Sequence, residues 1–282
     1  MVFYAKIYTY RSMDTSKNLE DWMEWLQSRG RSAFSWEELK AAFPSHSETA
    51  IRRSLDRQME KGKLVSIHHH YYLIIPPPYY SRGILPPALF IDGLLTYLGR
   101  PYYVGLLSAA ALHGAAHQQP QEFFVVTSYP VLRPTQKKGL KIHYLSKKEI
   151  PESLLERRKT ETGYLWCSSP ELTGADLILY ERWVGGLARV AQVLSELAEV
   201  MDTKRLSFDL LHYLPVAVLQ RFGYLMERVI GDAEFAASLF DRCRQAGLTF
   251  FRIPLHPSLP TKGFSSDARW KVIVNVEIAL EE

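Results

Sequence analysis

Leu19, Trp22, Met23 and Leu26 recur at i, i+3, i+4 and i+7 in an otherwise polar stretch, and this single apolar stripe predicts an amphipathic helix that Gly30 stops. Ser35-Trp-Glu-Glu38 has capping-box spacing and predicts a second, short helix with Leu39, Ala42 and Phe43 inward and Pro44 as its end. Ser45-His-Ser-Glu48 repeats that spacing and predicts a third helix, buried along Ile51, Leu55 and Met59 and ended by Gly62. Its opposite side carries Thr49, Arg52, Arg53, Asp56, Arg57 and Glu60. Two strand-like pieces follow, Leu64 to Ile67 and Tyr71 to Ile75, joined around His68, His69 and His70 as a hairpin.

A stiff connector comes next, through Pro76-Pro-Pro78, Tyr79-Tyr80 and Pro86-Pro87. Beyond it the pattern changes. Residues 101–115 are apolar nearly all round, which predicts a buried helix stopped near Gly114. After a break at Pro120, Phe123 to Val126 reads as a fully buried strand, so residues 100–127 are expected to form the central joint of a larger domain. Strands are predicted over 140–145 and 164–167, and a helix from Pro86 or Pro87 to Leu98. The rest is mainly helical, over 171–180, 187–200, 207–213, 216–230 and 233–246, with closing strands at 249–253 and 270–276 around an exposed loop. The expected fold class is α/β (α+β) and helix-rich. An N-terminal winged helix-turn-helix over 1–78, with an unassigned lead over 1–14, is followed by a larger mixed α/β domain over 79–282.

Composition narrows this little. With 282 residues, 47% hydrophobic and 23% charged, the chain is an ordinary globular one, and its net charge of +4 matters only where basic residues cluster. Two cysteines without C-x-x-C spacing argue against a disulfide framework or thiolate zinc site, and no run approaches the ~18 apolar residues of a membrane span. The expectation is a cytoplasmic protein that does not engage membranes.

Three short helices and a hairpin are the plan in which the third helix enters the major groove and the hairpin wing lies on the backbone or in the minor groove. Arg52, Arg53 and Arg57 suit that task because guanidinium forks bind phosphate or the guanine edge bidentately, and Thr49 near the helix start suits a base or phosphate contact. The alternative is a solvated helix face, with Asp56 and Glu60 offsetting part of the charge. The wing would add Lys63, His68, His69, His70 and Tyr71. The histidine triplet is not read as a metal site, since consecutive residues point apart and no further ligands lie close in sequence. A second basic run includes Lys137, Lys138, Lys141, Lys147 and Lys148 and ends in Arg157-Arg-Lys159; it is either a solvated surface or a set of additional phosphate contacts.

His113 is read as a helix C-terminal residue favourable to the dipole, Asp176 and Glu227 as partners of an arginine such as Arg221 or Arg269, and Gly185-Gly186 as a helix-joining turn. Nucleotidyl transfer needs paired carboxylates to hold two metals, and no Asp-x-Asp or Asp-x-Glu is read in the sequence as supplying them. No catalytic residue, cofactor or metal is expected.

Several phrases together carry a resemblance: LVSIHHHYYLI, YYVGLLSAAALHG with Pro120 and FFVVT after it, SPELTGADLI, VGGLARVAQVL, RFGYLMERV and RWKVIVN. In this order, from about Thr15 onward, the chain resembles the AbiE-type antitoxins of type IV toxin-antitoxin systems, regulators in abortive infection and phage defence. The resemblance implies a repressor that binds inverted repeats in its own promoter, double-stranded DNA, through the winged helix. It also implies neutralisation of a co-encoded nucleotidyltransferase-like toxin through the C-terminal domain, without a stable complex. The family's DNA-reading positions fall on Thr49, Arg52, Arg53 and Arg57, with the wing at His68 to Tyr71, although the glycine usual before the paired tyrosines is absent here. Two other functions stay open from the residues alone: a winged-helix transcription factor with a ligand-sensing C-terminal domain, and a nucleic-acid-modifying enzyme.

Overall fold

A computed structural model describes residues 18–115 and 121–280. The lead over 1–14 and the Pro120 break lie outside the described residues. The chain falls into two compact units: 1–102 with 127–148 and 157–166, and 103–126 with 149–156 and 167–282.

In the first unit, α1 (Leu19–Ser28) is capped by Asn18, whose side chain accepts from the Asp21 amide at 3.0 Å. A short strand β1 (Ala33–Ser35) leads into α2 (Trp36–Ala42), and the predicted capping box is present: Glu38 N–H donates to Ser35 Oγ at 3.1 Å and Ser35 N–H to Glu38 Oε2 at 2.8 Å. Helix α3 (Glu48–Glu60) starts at a different cap from the one the spacing predicts. Ser47, not Ser45, accepts the Ala50 amide at 3.2 Å, and Glu48 is drawn instead to Lys40 at 2.7 Å. β2 (Leu64–His68) and β3 (Tyr71–Ile74) form the hairpin, and an antiparallel sheet in the order β1-β3-β2 results.

The apolar stripes meet over this sheet. Trp22, Leu26, Phe34, Leu39, Ile51, Leu55 and Leu64 share one core, with Trp22 edge-on to Phe34 at 4.9 Å and to Phe43 at 6.0 Å. The stripe on α3 fixes its rotation: with Ile51, Leu55 and Gln58 buried, residues 49, 52, 53, 56, 57 and 60 must face outward.

Helix α4 (Ile91–Tyr97) is shorter than predicted, because Pro87–Leu89 forms a separate 3-10 turn before it. β4 (Tyr102–Val104), α5 (Leu106–Leu112) and β5 (Phe123–Ser128) replace the single long helix expected over 101–115. Tyr-Tyr-Val favours strand, and Gly105 breaks the run where a side chain would press on Val126 at 3.1 Å. β6 (Thr135–Lys137), β7 (Leu140–Lys147), β8 (Leu155–Thr160) and β9 (Gly163–Ser168) complete a six-stranded sheet in the order β6-β7-β5-β4-β9-β8.

The second unit is centred on α6 (Pro170–Leu179), buried from Pro170 through Ile178, with α5, α7 (Leu187–Leu197) and α9 (Val216–Tyr224) packed against it. The packing on α6 is tight at Gly174, where a Cβ would meet Met201 Cε at 2.7 Å and Leu194 Cδ2 at 2.9 Å. The alanine-rich α5 and α6 pack against each other, and both are interior to this unit. Helix α8 (Phe208–Tyr213) precedes α9, which continues as a π-helical turn over Leu225–Ile230 before α10 (Ala233–Gln245). Two short parallel strands, β10 (Ile253–Pro254) and β11 (Val272–Ile273), close the fold. The chain is thus a helix-rich α/β protein, and among the described residues no helix is long and apolar enough to cross a membrane.

Candidate nucleic-acid interface

The outward face of α3 brings Thr49, Arg52, Arg53 and Arg57 together in solvent. Their roles diverge in detail. The Arg52 guanidinium lies 4.6 Å over the Trp36 ring, which holds it in place before any ligand arrives. Arg57 donates to Ser54 Oγ at 3.2 Å, and Arg53 has no hydrogen bond or ion pair among the described residues.

Beside this face the hairpin turns through His69 and His70. His70 has φ +58°, the left-handed conformation a glycine would take there. Two contacts hold it: Trp36 N–H donates to its carbonyl at 2.8 Å, and its ring stacks on His69 at 3.8 Å. The turn is thereby tied to the first residue of α2, and His68 and His69 stay exposed. The Tyr97 hydroxyl reaches the His69 carbonyl at 3.5 Å.

Two sequence-selected wing residues do other work. Tyr71 is only 5% exposed, its ring stacked on Tyr97 at 5.0 Å and its hydroxyl where a Cβ on Gly93 would come within 2.6 Å, and burial pushes its phenol pKa up. All four residues of β3 are buried, so Tyr71 supports the hairpin from below and is removed from the contact surface. Lys63 is paired with Glu20 of α1. Lys63 donates to that carboxylate directly, Gln58 Nε2 donates at 3.2 Å, and Lys61 lies at 3.5 Å.

Together these hold the Glu20 carboxyl well below its ordinary value, at about 2. Because the folded value lies below the unfolded one, the stabilisation is present above the ordinary value of 4.5 and is lost as pH falls towards about 2. A thermal-midpoint titration is expected to show the wild type losing more stability across that window than Glu20→Gln. Parallel curves would remove Glu20 from the acid response.

The second basic run divides among strands. Lys137 Nζ donates to the Ser66 carbonyl of β2 at 2.6 Å, linking β6 to the hairpin. Lys138 occupies the β6–β7 turn with φ +47°. Lys141 and Lys147 lie on β7, and Lys148 is exposed just past it. Arg157 of β8 lies 4.6 Å over the Tyr164 ring.

In the second unit the polar residues named from sequence make buried structural bonds. His113 caps α5, and its Nε2 meets the Ser168 carbonyl at 2.8 Å, a tertiary cross-link where a dipole contact was expected. Tyr103 donates to Asp176 Oδ2 at 2.7 Å, and desolvation beside that carboxylate raises the Tyr103 pKa well above its usual value. Arg221 Nε is committed to the Pro254 carbonyl at 3.0 Å. Glu227 does take Arg269, at 3.2 Å, and also accepts the Trp270 indole N–H at 2.6 Å. Gly185 and Gly186, φ +95° and +88°, form the turn that opens α7. The chain does contain one Asp-x-Glu, Asp232-Ala-Glu234, and there Asp232 serves as the α10 cap, accepting the Phe235 amide at 3.0 Å.

Comparison with other proteins places this architecture. The chain is similar in fold to the RV2827C protein from Mycobacterium tuberculosis, with a TM-score of 0.64 at 16% identity over 89% of each chain. No curated protein matches it. Residues 103–228 match the family described as the AbiEi antitoxin C-terminal domain, a span covering β4 to the π-helical turn with the Tyr103–Asp176 and His113–Ser168 bonds inside it. Over this span, somewhat under half of its 282 residues, the chain is similar to the C-terminal domain of AbiE-type antitoxins.

Proposed function

We propose that the protein is an autoregulating antitoxin of a type IV system acting in the cytoplasm in abortive infection and phage defence. Its N-terminal domain, over 1–78, works as a winged helix-turn-helix that represses its own promoter. The domain that follows, over 79–282, counters a co-encoded nucleotidyltransferase-like toxin without forming a stable complex with it, and itself catalyses nothing. The observation that carries the DNA-binding half is the outward face of α3. Thr49, Arg52, Arg53 and Arg57 stand together there, next to the exposed His68 and His69 of the hairpin turn. In this arrangement α3 reads the major groove, and the turn follows the adjacent backbone. Lys137, Lys138, Lys141, Lys147 and Lys148 are then placed to lengthen the phosphate contacts.

Fluorescence anisotropy of the protein on the DNA upstream of its operon, against scrambled DNA of equal length, tests this reading. Tighter binding to the upstream DNA with a steep negative salt slope is the expected result. Equal, weak binding to both would end the autoregulatory reading.

A further inference from the structure

A cleft of about 500 Å³ opens beside the hairpin, bounded by β2, the end of α4, the segment 131–134, β6 and Tyr144 of β7. Its volume lies in the range of small-ligand sites, and its composition is that of one: an apolar wall with a few converging polar groups. Ile67, Leu98 and the Tyr144 ring supply the wall, together with Val131, which is 67% exposed although it is a large aliphatic side chain. Cationic groups gather at the rim. Arg133 has no hydrogen bond or ion pair among the described residues, Lys137 spends one of its N–H groups on Ser66, and the exposed ring of His68 adds a third nitrogen base. Among the described residues no carboxylate lines the cleft.

The segment between these groups is held from behind. Arg100 Nη1 donates to the Ser128 carbonyl at 2.9 Å and to that of Pro130, and Tyr144 and Thr135 share a hydroxyl contact at 3.2 Å. The cleft is thus set by protein bonds that need no ligand.

We propose that this cleft binds a mononucleotide, its phosphates on Arg133, Lys137 and His68 and its base against Val131, Leu98 and the Tyr144 ring. Two cations, Arg133 and Lys137, with an imidazole beside them fit a multiply charged phosphate better than a single carboxylate, and the guanidinium fork takes phosphate oxygens in pairs. The apolar wall beside them takes a planar base. The same base-bearing phosphate ester occurs within DNA, so the free nucleotide must be distinguished from a nucleotide of a bound strand. The inference does not depend on promoter binding, but β2 lends Ile67 and His68 to the cleft, so its occupant touches the proposed wing.

Isothermal titration of the full chain with ATP is the test, with adenosine and tripolyphosphate as separate titrants. The expected result is one saturable site for ATP, with each half-ligand at least about tenfold weaker. Val131→Glu and Arg133→Glu should each weaken ATP about tenfold without moving the thermal midpoint, since both positions are exposed. Absence of ATP binding, tripolyphosphate as tight as ATP, or affinity untouched by both substitutions would overturn the proposal. A promoter duplex that leaves ATP bound supports the free nucleotide, whereas one-for-one displacement would assign the cleft to a nucleotide of the DNA and overturn the free-ligand assignment. Arg53→Ala separates the two readings, because it should lose DNA and keep ATP.

Discussion

Gly223→Ala is expected to destabilise the protein by about 3 kcal/mol, at the upper end of overpacking costs, despite alanine's advantage of about 1 kcal/mol over glycine within a helix. Gly223 lies on α9, and a Cβ there would stand 2.0, 2.2 and 2.3 Å from Cη2, Cζ3 and Cζ2 of Trp270. Those distances put a methyl group inside the indole, so one of the two has to move. Trp270 has no room to retreat. It is fully buried, its indole N–H donates to Glu227 at 2.6 Å, its amide donates to Asp267 at 2.8 Å, and its carbonyl accepts from Gln220 at 2.6 Å. Phe250 stacks on the ring at 5.8 Å and Phe240 meets it edge-on at 5.5 Å. Urea denaturation gives the stability change directly. Adding Trp270→Leu should recover part of the loss, a favourable coupling that identifies the clash itself as the cause. An alanine variant as stable as the wild type would show that α9 and Trp270 can separate at no cost, and the tight packing of this motif would have another origin.

That contact also shows what the sequence could disclose. The phrase containing Gly223 and the one containing Trp270 are both visible as motifs, but their meeting across 47 positions (270 minus 223) is not encoded in any local period. Local signals read well wherever one face of an element is solvated. The stripe on α1 and the Ser35–Glu38 box stand as predicted, and on α3 Ile51 and Leu55 do, with Gln58 buried and Met59 only partly so. The signal weakens where burial is complete. An apolar run does not distinguish strand from buried helix, and so Tyr102–Val104 falls inside the long helix predicted over 101–115, although its aromatic and β-branched residues and the following Gly105 mark a strand.

Helix α6 lies where the sequence predicts a helix, but the depth of its burial is not legible there. Glu171, Thr173 and Asp176 are polar, yet all three are buried: Asp176 accepts from Tyr103 and Glu171 Oε1 from the Asp202 amide, donors distant in sequence, while Glu171 Oε2 has no hydrogen bond among the described residues. Strands β6 and β8 were hidden by their lysines and arginines, residues that suit edge strands because charge discourages further pairing. In the candidate interface the arginine positions follow from helical period alone. Tyr71 and Lys63 do not, since burial of the whole of β3 and one distant carboxylate decide them.

Arg53→Ala combined with Arg57→Ala is expected to weaken operator binding by about 4 kcal/mol, roughly a thousandfold, if each guanidinium contributes about 2 kcal/mol. The two stand one turn apart on the exposed face of α3. Their truncation opens no cavity: Arg53 touches no partner among the described residues, and Arg57 gives up one bond to Ser54. Thermal stability should therefore stay within about 0.5 kcal/mol of the wild type, the usual range for surface changes. Arg52 is the informative comparison, because its guanidinium already lies over Trp36. A side chain ordered in advance loses less entropy on binding, so Arg52→Ala should cost at least as much as either single change and should also release the Trp36 ring. Anisotropy at several salt concentrations then sorts the contacts. If both arginines of the pair hold phosphates, the salt slope falls by about two and the losses on operator and scrambled DNA are equal. If one of them reads a guanine edge, the loss on the operator exceeds that on scrambled DNA, and the slope falls by about one. A double variant that binds the operator as the wild type does would move the DNA contact off α3. The hairpin turn and the β6–β7 lysines would then have to account for any binding that remains.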